Sequence, residues 1–465
     1  MNEHTDSTGN ERDAETVDVI VIGMGVAGES VAAPLAESGL RVVGVEAGLV
    51  GGECPYWGCI PSKMMIRGAN LLAEARRIPG VAGNATVEPD WSPIAARIRE
   101  QATDNWNDQV AVDRFEGKGG IFVRGRARLV GPRTVVVDER TFIAERAVVV
   151  ATGTKPAIPP IPGIDAVDVW TNHEMIEAKE LPESIIVLGA GAIGSELSQV
   201  MARFGTTVTI VEALDQLLPL EEPEAGALLK ESFEGDGITV HTGQMAQEVR
   251  AVDTGVEVVL ADGTVLSAER LMVATGRRTE LAALGLDTVG LDPALRFIPT
   301  DEHMRVTDGL WAVGDITGKG LFTHVGIYQA GIAVADIMEG DGPVADYATV
   351  PRVTFTDPEV GSVGLTEAAA IEAGFDVATS LVEVPGTARG WLHGSGNDGL
   401  IKLVVDRQRR VLVGATSAGP HGGEVLGLLT LAVHEATSID RLRSMIYAYP
   451  TFHKGIEDAL NRLEL

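Results

Sequence analysis

The fold is decided by a stretch near the amino end, Val19-Ile20-Val21-Ile22-Gly23-Met24-Gly25-Val26-Ala27-Gly28. The four apolar residues predict a buried strand, the three spaced glycines predict a tight turn, and the small residues after the turn predict a helix. A second apolar run, residues 42–45, ends in Glu46. This order is typical of a β-α-β unit that binds a dinucleotide, because the glycines admit a pyrophosphate to the backbone and the helix N-terminus attracts it.

The same pattern occurs a second time in the chain. Residues 185–188 predict a strand, Gly189-x-Gly191-x-x-Gly194 predicts the turn, and the strand 207–211 is followed by Glu212. In both copies the acid lies eighteen residues after the third glycine. A single glycine turn is weak evidence, but two copies with matched acids predict two dinucleotide sites. The predicted site residues are Gly23, Gly25, Gly28 and Glu46 in the first copy, and Gly189, Gly191, Gly194 and Glu212 in the second.

The two acids are predicted to accept hydrogen bonds from ribose hydroxyls. Glu212 is followed by Ala213-Leu214-Asp215, which includes no arginine that would bind a 2′-phosphate. The sequence therefore favours NAD(H) over NADP(H) at the second site. Arg277 and Arg278 follow the second of two matched Ala-Thr-Gly turns, and they are the residues that an NADP(H) interpretation would use.

Length, charge and hydropathy restrict the class of protein. A chain of 465 residues suggests roughly three domains. The formal charge of -29 opposes binding to nucleic acid or to an anionic membrane, since both require clustered lysine and arginine. No stretch is long and apolar enough to predict a membrane helix, and the polar first residues do not resemble a secretory signal. We therefore expect a cytoplasmic globular protein of the α/β class.

The chain contains two cysteines, and both lie in Gly51-Gly52-Glu53-Cys54-Pro55-Tyr56-Trp57-Gly58-Cys59-Ile60-Pro61-Ser62-Lys63. A regular helix would hold the two sulfurs apart, but Pro55 and Gly58 allow the segment to bend so that they meet. Closely spaced cysteines in a reducing compartment indicate a catalytic or a metal-binding role. Zinc is disfavoured because no histidine or second cysteine pair stands nearby with ligand spacing. We predict a redox-active pair and no metal.

The sequence resembles the pyridine nucleotide-disulfide oxidoreductase family over almost its whole length after the first sixteen residues. The stretch 51–63 resembles the redox-disulfide motif of that family, 307–315 resembles its second FAD segment, and 355–364 resembles the opening of its dimerisation domain. The resemblance implies two tandem Rossmann-like domains and a C-terminal α+β dimerisation domain. The predicted boundaries are a disordered tail at 1–16, an FAD-binding domain at 17–160 and 283–345, an NAD(H)-binding domain at 161–282, and a dimerisation domain at 346–465.

The resemblance also assigns roles to individual residues. Electrons would pass from the nicotinamide through FAD to Cys59 and Cys54, and then to a small-molecule disulfide or another acceptor. Lys63 and Glu196 match a pair that lies beside the reactive nitrogen of the flavin. The further residues implied for FAD are Gly52, Lys63, Ala127, Gly153, Gly314 and Asp315, and Gly276 is implied for the nicotinamide. A homodimer is implied, because the family completes each active site with the C-terminal segment of the partner.

The chain departs from the family pattern near its C-terminus. Disulfide-reducing members carry a histidine that serves as acid and base and, five residues later, a glutamate, where this chain has Tyr449 and Lys454. Tyrosine, with an ordinary pKa of about 10, is a poor base near neutrality unless a cation such as Lys454 lowers that value. The alternative bases are Glu457 and His453, and His453 on a helix would lie one turn from Tyr449.

This departure leaves several functions open. The tyrosine is similar to that of mercuric reductase and of soluble transhydrogenase. However, mercuric reductase has a C-terminal cysteine pair that this sequence lacks, and the transhydrogenase motif lacks a counterpart of Cys59. The alternatives to disulfide reduction are a quinone reductase, diaphorase or transhydrogenase that does not use the cysteines, a metal-ion reductase similar to mercuric reductase, and a non-enzymatic flavin redox sensor.

Overall fold

The computed structural model describes residues 14–340 and 342–465. Its strands are β1 Glu15–Ile22, β2 Val42–Glu46, β3 Ile121–Arg124, β4 Ala127–Gly131, β5 Thr134–Val137, β6 Arg140–Val150, β7 Lys155–Pro156, β8 Val169–Trp170, β9 Ser184–Leu188, β10 Thr207–Val211, β11 Thr239–His241, β12 Ala246–Val252, β13 Gly255–Leu260, β14 Val265–Ala268, β15 Arg270–Val273, β16 Arg277–Arg278, β17 Arg305–Thr307, β18 Leu310–Ala312, β19 Pro351–Thr354, β20 Glu359–Gly364, β21 Val377–Glu383, β22 Leu400–Asp406 and β23 Val411–Gly419.

The α-helices of the same residues vary from short turns to long helices. They are α1 Val26–Glu37, α2 Glu53–Tyr56, α3 Cys59–Arg76, α4 Ser92–Arg97, α5 Gln109–Gly117, α6 Asn172–Glu177, α7 Ala192–Arg203, α8 Pro223–Gly235, α9 Thr323–Glu339, α10 Glu367–Glu372, α11 Ala388–His393, α12 Gly422–His434, α13 Ile439–Arg443 and α14 Lys454–Arg462. None of the helices in the described ranges combines the length and the apolar composition needed to cross a bilayer.

The chain divides into two compact units. The first contains the described part of Met1–Cys59, together with Ala102–Lys155 and Arg277–Tyr347. Its sheet has the order β17-β18-β6-β1-β2-β3, with β4 and β5 extending from β6 as an antiparallel pair. The strands from β18 to β3 are parallel. β1 lies in the middle with both faces covered, which explains why its sequence is an almost unbroken apolar run.

The second unit contains Ile60–Gln101, Pro156–Gly276 and Ala348–Leu465. It has a five-stranded parallel sheet in the order β11-β10-β9-β15-β8 and a small antiparallel sheet of β12, β13 and β14. A separate antiparallel sheet, β19-β20-β23-β22-β21, belongs to the C-terminal part and packs against α12. The predicted fold class, two tandem nucleotide folds and an α+β C-terminal part, is confirmed.

The domain boundaries stay predictions. The structure changes one detail, the point at which the first strand begins. β1 begins at Glu15, inside the segment 1–16 that was predicted to be a disordered tail. The strand starts earlier because Glu15, Thr16 and Val17 pair with residues 142–144 of β6. Residues 1–13, the rest of the predicted tail, lie outside the described residues.

A buried cation joins the parallel sheet to the C-terminal sheet within the second unit. The Lys402 side chain is only 4% exposed, and its Nζ lies 3.0 Å from Glu222 Oε2, 2.8 Å from Glu224 Oε1 and 2.8 Å from Glu367 Oε2. Burial alone lowers the pKa of an ammonium group, but the hydrogen bonds to the three carboxylates outweigh it, so the pKa of Lys402 is raised. Lys402 therefore stays charged and ties the start of α8 to β22.

Replacing Lys402 with methionine is expected to destabilise the fold by about 3–5 kcal/mol, because Glu222, which is also buried, would lose its counter-charge. The measurement is urea unfolding followed by tryptophan fluorescence. Lys230→Met is the matched control, since Lys230 is 38% exposed and its pair with Glu234 contributes less than about 1 kcal/mol. Equal losses of stability in the two variants would contradict a special role for the buried cation.

Candidate active site

The first glycine turn lies at the carboxyl end of β1. Gly23 has a φ of +93°, which other residues rarely adopt, and a Cβ on Gly28 would lie 1.9 Å from the Gly23 carbonyl oxygen. Helix α1 starts directly after Gly25, and no side chain caps its first amides. The turn therefore has the open backbone and the helix N-terminus that the pyrophosphate of a dinucleotide requires, and these residues fit FAD.

Glu46 closes the same site at the end of β2. Its Oε2 accepts a hydrogen bond from the Met24 amide at 2.7 Å, and its Oε1 accepts one from the Gly48 amide at 2.7 Å. The carboxylate is thus held against the glycine turn. Because each carboxylate oxygen has a second lone pair, the group keeps acceptor capacity for ribose hydroxyls.

The second copy repeats this arrangement in the second unit. Gly189 has a φ of +97°, and a Cβ on Gly194 would lie 2.0 Å from the Gly189 carbonyl oxygen. Glu212 accepts hydrogen bonds from the Ala190 amide at 2.7 Å and the Leu214 amide at 2.9 Å. The two predicted acids therefore make equivalent backbone hydrogen bonds, and the second turn fits a nicotinamide dinucleotide.

The two cysteines lie close together in the first unit. Cys54 is in α2, Cys59 is the first residue of α3, and both are half-buried cysteines that are not joined in a disulfide. The Sγ of Cys59 lies 3.4 Å from the Thr323 hydroxyl at the start of α9. The hydrogen bond with Cys59, followed by burial, raises the pKa of Cys54 well above its usual range.

This geometry gives the two sulfurs different properties. A sulfur at a helix N-terminus is stabilised as a thiolate by the free amides and the helix dipole, which is the position of Cys59. The raised pKa of the Cys54 thiol keeps that thiol protonated near neutral pH. In the reduced pair, Cys54 therefore needs a base before it reacts.

Asp315 lies in a polar network of the first unit. Its Oδ2 accepts a hydrogen bond from the Thr154 hydroxyl at 2.7 Å, and burial raises the pKa of the Asp315 carboxyl. Arg277 donates to the hydroxyl and the carbonyl oxygen of Thr154, both at 2.8 Å, and forms an ion pair with Glu53 at 3.2 Å. The Arg277 guanidinium is therefore engaged beside the cysteine segment.

Lys63 and Glu196 form an ion pair in the second unit, although 133 positions separate them in the sequence. The Lys63 Nζ lies 2.8 Å from Glu196 Oε2, and the Glu196 side chain is 5% exposed. The other carboxylate oxygen accepts the Phe355 amide hydrogen bond at 2.8 Å. The structure thus brings together the pair that the family resemblance singled out.

Tyr449 and His453 lie outside regular helix. Helix α14 begins at Lys454, so the expectation that His453 sits one helical turn from Tyr449 is wrong. The Tyr449 side chain is largely exposed, and Lys454 is bound to Glu457 at 2.5 Å and Asp458 at 3.1 Å. Lys454, the cation considered as an aid to Tyr449, is therefore paired with two carboxylates of its own helix.

The remaining predicted residues are backbone positions in turns and at strand or helix ends. Most have a positive φ that favours glycine: Gly52 (+67°), Gly153 (+64°), Gly276 (+129°) and Gly314 (+83°). Ala127 is the buried first residue of β4. Among the described residues no cluster of three or more His, Cys, Asp or Glu side chains is arranged to hold a metal ion.

Sequence reasoning missed three residues of this site. Thr323, Thr154 and Glu53 contact Cys59, Asp315 and Arg277 respectively. The one available signal was position, since Thr154 follows the first Ala-Thr-Gly turn and Glu53 precedes Cys54. The residues that Thr323, Thr154 and Glu53 contact are distant in sequence, and these contacts depend on side-chain rotamers. The sequence pattern alone therefore did not assign the three residues a role.

Comparison with known proteins identifies the class. The chain matches the family model of the pyridine nucleotide-disulphide oxidoreductases over residues 17–336 and the model of their dimerisation domain over 350–460. The chain therefore belongs to the pyridine nucleotide-disulphide oxidoreductase family and is a flavoprotein oxidoreductase, whose relatives use FAD and NAD(P)H.

Individual relatives cover nearly the whole chain. A dihydrolipoyl dehydrogenase of Chlorobaculum tepidum is 34% identical over 96% of this chain and 97% of its own length. A mercuric reductase of Staphylococcus aureus is 30% identical over 95% of this chain and 81% of its own length. The HOCl-induced flavoprotein disulfide reductase RclA of Escherichia coli superposes with a TM-score of 0.84 at 25% identity, covering 96% of this chain and 99% of that one.

The raised pKa of Cys54 predicts the pH dependence of thiol alkylation. In the reduced protein at pH 8, iodoacetamide should modify Cys54 more slowly than an unperturbed cysteine, by about tenfold for each unit of raised pKa. Cys59→Ser removes the largest cause of the shift and should accelerate modification of Cys54. Peptide mass spectrometry after timed alkylation measures both rates. A slower reaction of Cys54 in Cys59→Ser would show that the hydrogen bond with Cys59 does not raise the pKa.

Proposed function

We propose that this protein is an NADH-dependent, FAD-containing disulfide oxidoreductase that passes electrons through Cys54 and Cys59 to a low-molecular-weight disulfide or a related acceptor. The observation that supports it best is the asymmetric cysteine pair. The sulfur of Cys59 lies at a helix N-terminus within 3.4 Å of the Thr323 hydroxyl, and the pKa of Cys54 is raised by its hydrogen bond with Cys59. A structural disulfide has no need of this difference between its two sulfurs.

The nucleotide sites support the proposed electron carriers. The first glycine turn with Glu46 would hold FAD, and the second with Glu212 would hold NADH. The carboxylate of Glu212 repels a 2′-phosphate and accepts from a 2′-hydroxyl, which favours NAD(H). When bound, FAD supplies the ability to take a hydride from NADH and to pass an electron pair to a disulfide.

The protein residues would prepare the flavin and the cysteines for this exchange. The Lys63 ammonium, fixed by Glu196 at 2.8 Å, would stabilise negative charge on the reduced flavin. Asp315, held by Thr154, would accept a hydrogen bond from the ribityl chain, and the Arg277 ion pair with Glu53 would brace the cysteine segment.

The chemical step is a thiol-disulfide exchange. Cys54 loses its proton to a base and attacks one sulfur of the substrate disulfide, which forms a mixed disulfide and releases the first substrate thiolate to take up a proton. The thiolate of Cys59 then attacks the Cys54 sulfur, closes the protein disulfide and releases the second thiolate. Because the pKa of Cys54 is raised, this step needs a base, and we assign it to Tyr449 or His453 of a second copy in a cytoplasmic homodimer.

A second candidate function is a quinone reductase, diaphorase or transhydrogenase that does not use the cysteines. The exposed Tyr449 favours it, because Lys454, which would make a tyrosine a better base, is already paired with Glu457 and Asp458. Mercuric ion reduction is a further alternative, since one relative is a mercuric reductase, but the chain has no cysteines besides Cys54 and Cys59 to deliver the ion. A flavin redox sensor is the non-enzymatic alternative.

The roles of the cysteines are tested by Cys54→Ser and Cys59→Ser. Both variants should lose about 10³-fold or more in kcat with disulfide substrates, because each removes one electron-carrying sulfur. Both should still bind FAD, whose predicted turn contains neither cysteine. The first measurement is an anaerobic NADH titration. The electron acceptors tested after it are lipoamide, glutathione disulfide, quinones, mercuric ion and a second nicotinamide. Full activity of both variants with the best acceptor would establish the second candidate function instead.

Nucleotide preference is tested by Glu212→Ala. Removing the carboxylate should weaken NADH binding about tenfold, the effect of a lost hydrogen bond to a charged group, and should reduce the preference for NADH over NADPH. The measurement is KM and kcat with both nucleotides. Glu248→Ala, at an exposed ion pair with Arg250, is the matched control and should leave both values unchanged. A wild-type protein that prefers NADPH would overturn the assignment of NADH.

A further inference from the structure

We propose that Phe355 is a positioning residue for Lys63, holding the ammonium group together with Glu196 through the face of its aromatic ring. This inference rests on the proposed role of Lys63 beside the flavin. The Lys63 Nζ lies 4.6 Å from the centroid of the Phe355 ring and 2.8 Å from Glu196 Oε2. A cation within about 6 Å of an aromatic face is attracted by the negative potential of the ring.

The three residues form a closed arrangement. The Phe355 amide donates to Glu196 Oε1 at 2.8 Å, Glu196 Oε2 accepts from Lys63, and the Lys63 ammonium faces the Phe355 ring. One aromatic residue thus orients the carboxylate through its backbone and the ammonium through its side chain. The Lys63 side chain remains 36% exposed, so it is accessible to a ligand.

The segment that carries Phe355 is itself fixed on a buried polar face of α7. The Gln199 side chain accepts from the Asp357 amide and donates to the Asp357 carbonyl oxygen, both at 2.8 Å. The Asp357 carboxylate accepts from Arg203 and Arg77, both at 2.7 Å, and the Arg203 side chain is 1% exposed. These bonds restrict the backbone two residues beyond Phe355, so the ring has a defined place.

A fixed ring matters because a lysine is a point charge on a flexible four-carbon stem. A single ion pair with Glu196 leaves the ammonium free to rotate about the carboxylate. A second contact, with the face of the Phe355 ring, reduces that freedom and orients the charge. If Lys63 stabilises the reduced flavin, loosening the ring contact lowers the midpoint potential of the bound flavin.

The test replaces Phe355 with phenylalanines that carry one, two and three fluorine atoms, which weaken the negative face of the ring while nearly preserving its shape. The midpoint potential of the bound flavin is measured by anaerobic spectroelectrochemistry. We expect it to fall stepwise with each added fluorine. Phe355→Leu should lower it further in an otherwise wild-type protein, and should leave it unchanged when added to Lys63→Met. Phe355→Tyr, which keeps the ring face, should retain the wild-type potential.

The matched control is the same fluorination series at Phe142, whose ring faces Arg140 at 4.7 Å on β6, and it should not move the potential. A flat potential across the Phe355 series, combined with a clear shift in Lys63→Met, would overturn the role of Phe355 and leave the proposed function standing. An unshifted potential in Lys63→Met would instead refute the role of Lys63 and this inference with it. Because fluorination disturbs the fold little, a destabilised Phe355→Leu variant does not prevent either conclusion.

Discussion

The two parallel sheets depend on one steric constraint, the close approach of the third glycine of each turn to the first. A Cβ on Gly28 would lie 1.9 Å from the Gly23 carbonyl oxygen, and the corresponding distance at Gly194 is 2.0 Å. Any side chain there would push α1 or α7 away from the strand that precedes it. With the helix held close, its N-terminus points at the end of the strand, and the acid of the next strand bonds back to the turn. The position of each nucleotide site follows from that contact.

The sequence predicted this part of the fold because its cause is local. Glycine spacing and apolar runs report backbone geometry over about thirty residues, and both acids lie beside their glycine turns, where backbone amides bind them. The pairing of Lys63 with Glu196 came from resemblance to a family, because nothing in periodicity links residues 133 positions apart. The relation of His453 to Tyr449 was predicted wrongly, because a helix was assumed where Pro450 stands and α14 begins only at Lys454.

Side-chain networks were the part that the pattern did not reveal. In the sequence, Arg277 follows the turn after β15, a strand of the second parallel sheet. This position suggested that Arg277 lies near a nucleotide phosphate. In the structure its guanidinium bonds to Thr154 and Glu53, which the sequence did not indicate. A long side chain reaches several ångströms from its backbone, so its partners depend on rotamers and on residues from other segments, which single-sequence reasoning does not resolve.

The buried face of α7 shows why polar residues in a helix interior should not be dismissed as pattern errors. Glu196, Gln199 and Arg203 recur at helical spacing, where core packing would place apolar residues, and all three are buried. Buried polar groups are costly unless they are paired, and each of these is paired with α3 or with the segment around Asp357. An apolar face would pack equally well but would fix neither Lys63 nor Phe355. The polar face therefore lacks the packing energy of an apolar face but fixes the orientation of the Lys63 ammonium. A fixed orientation is useful only if the position of that charge matters to the chemistry.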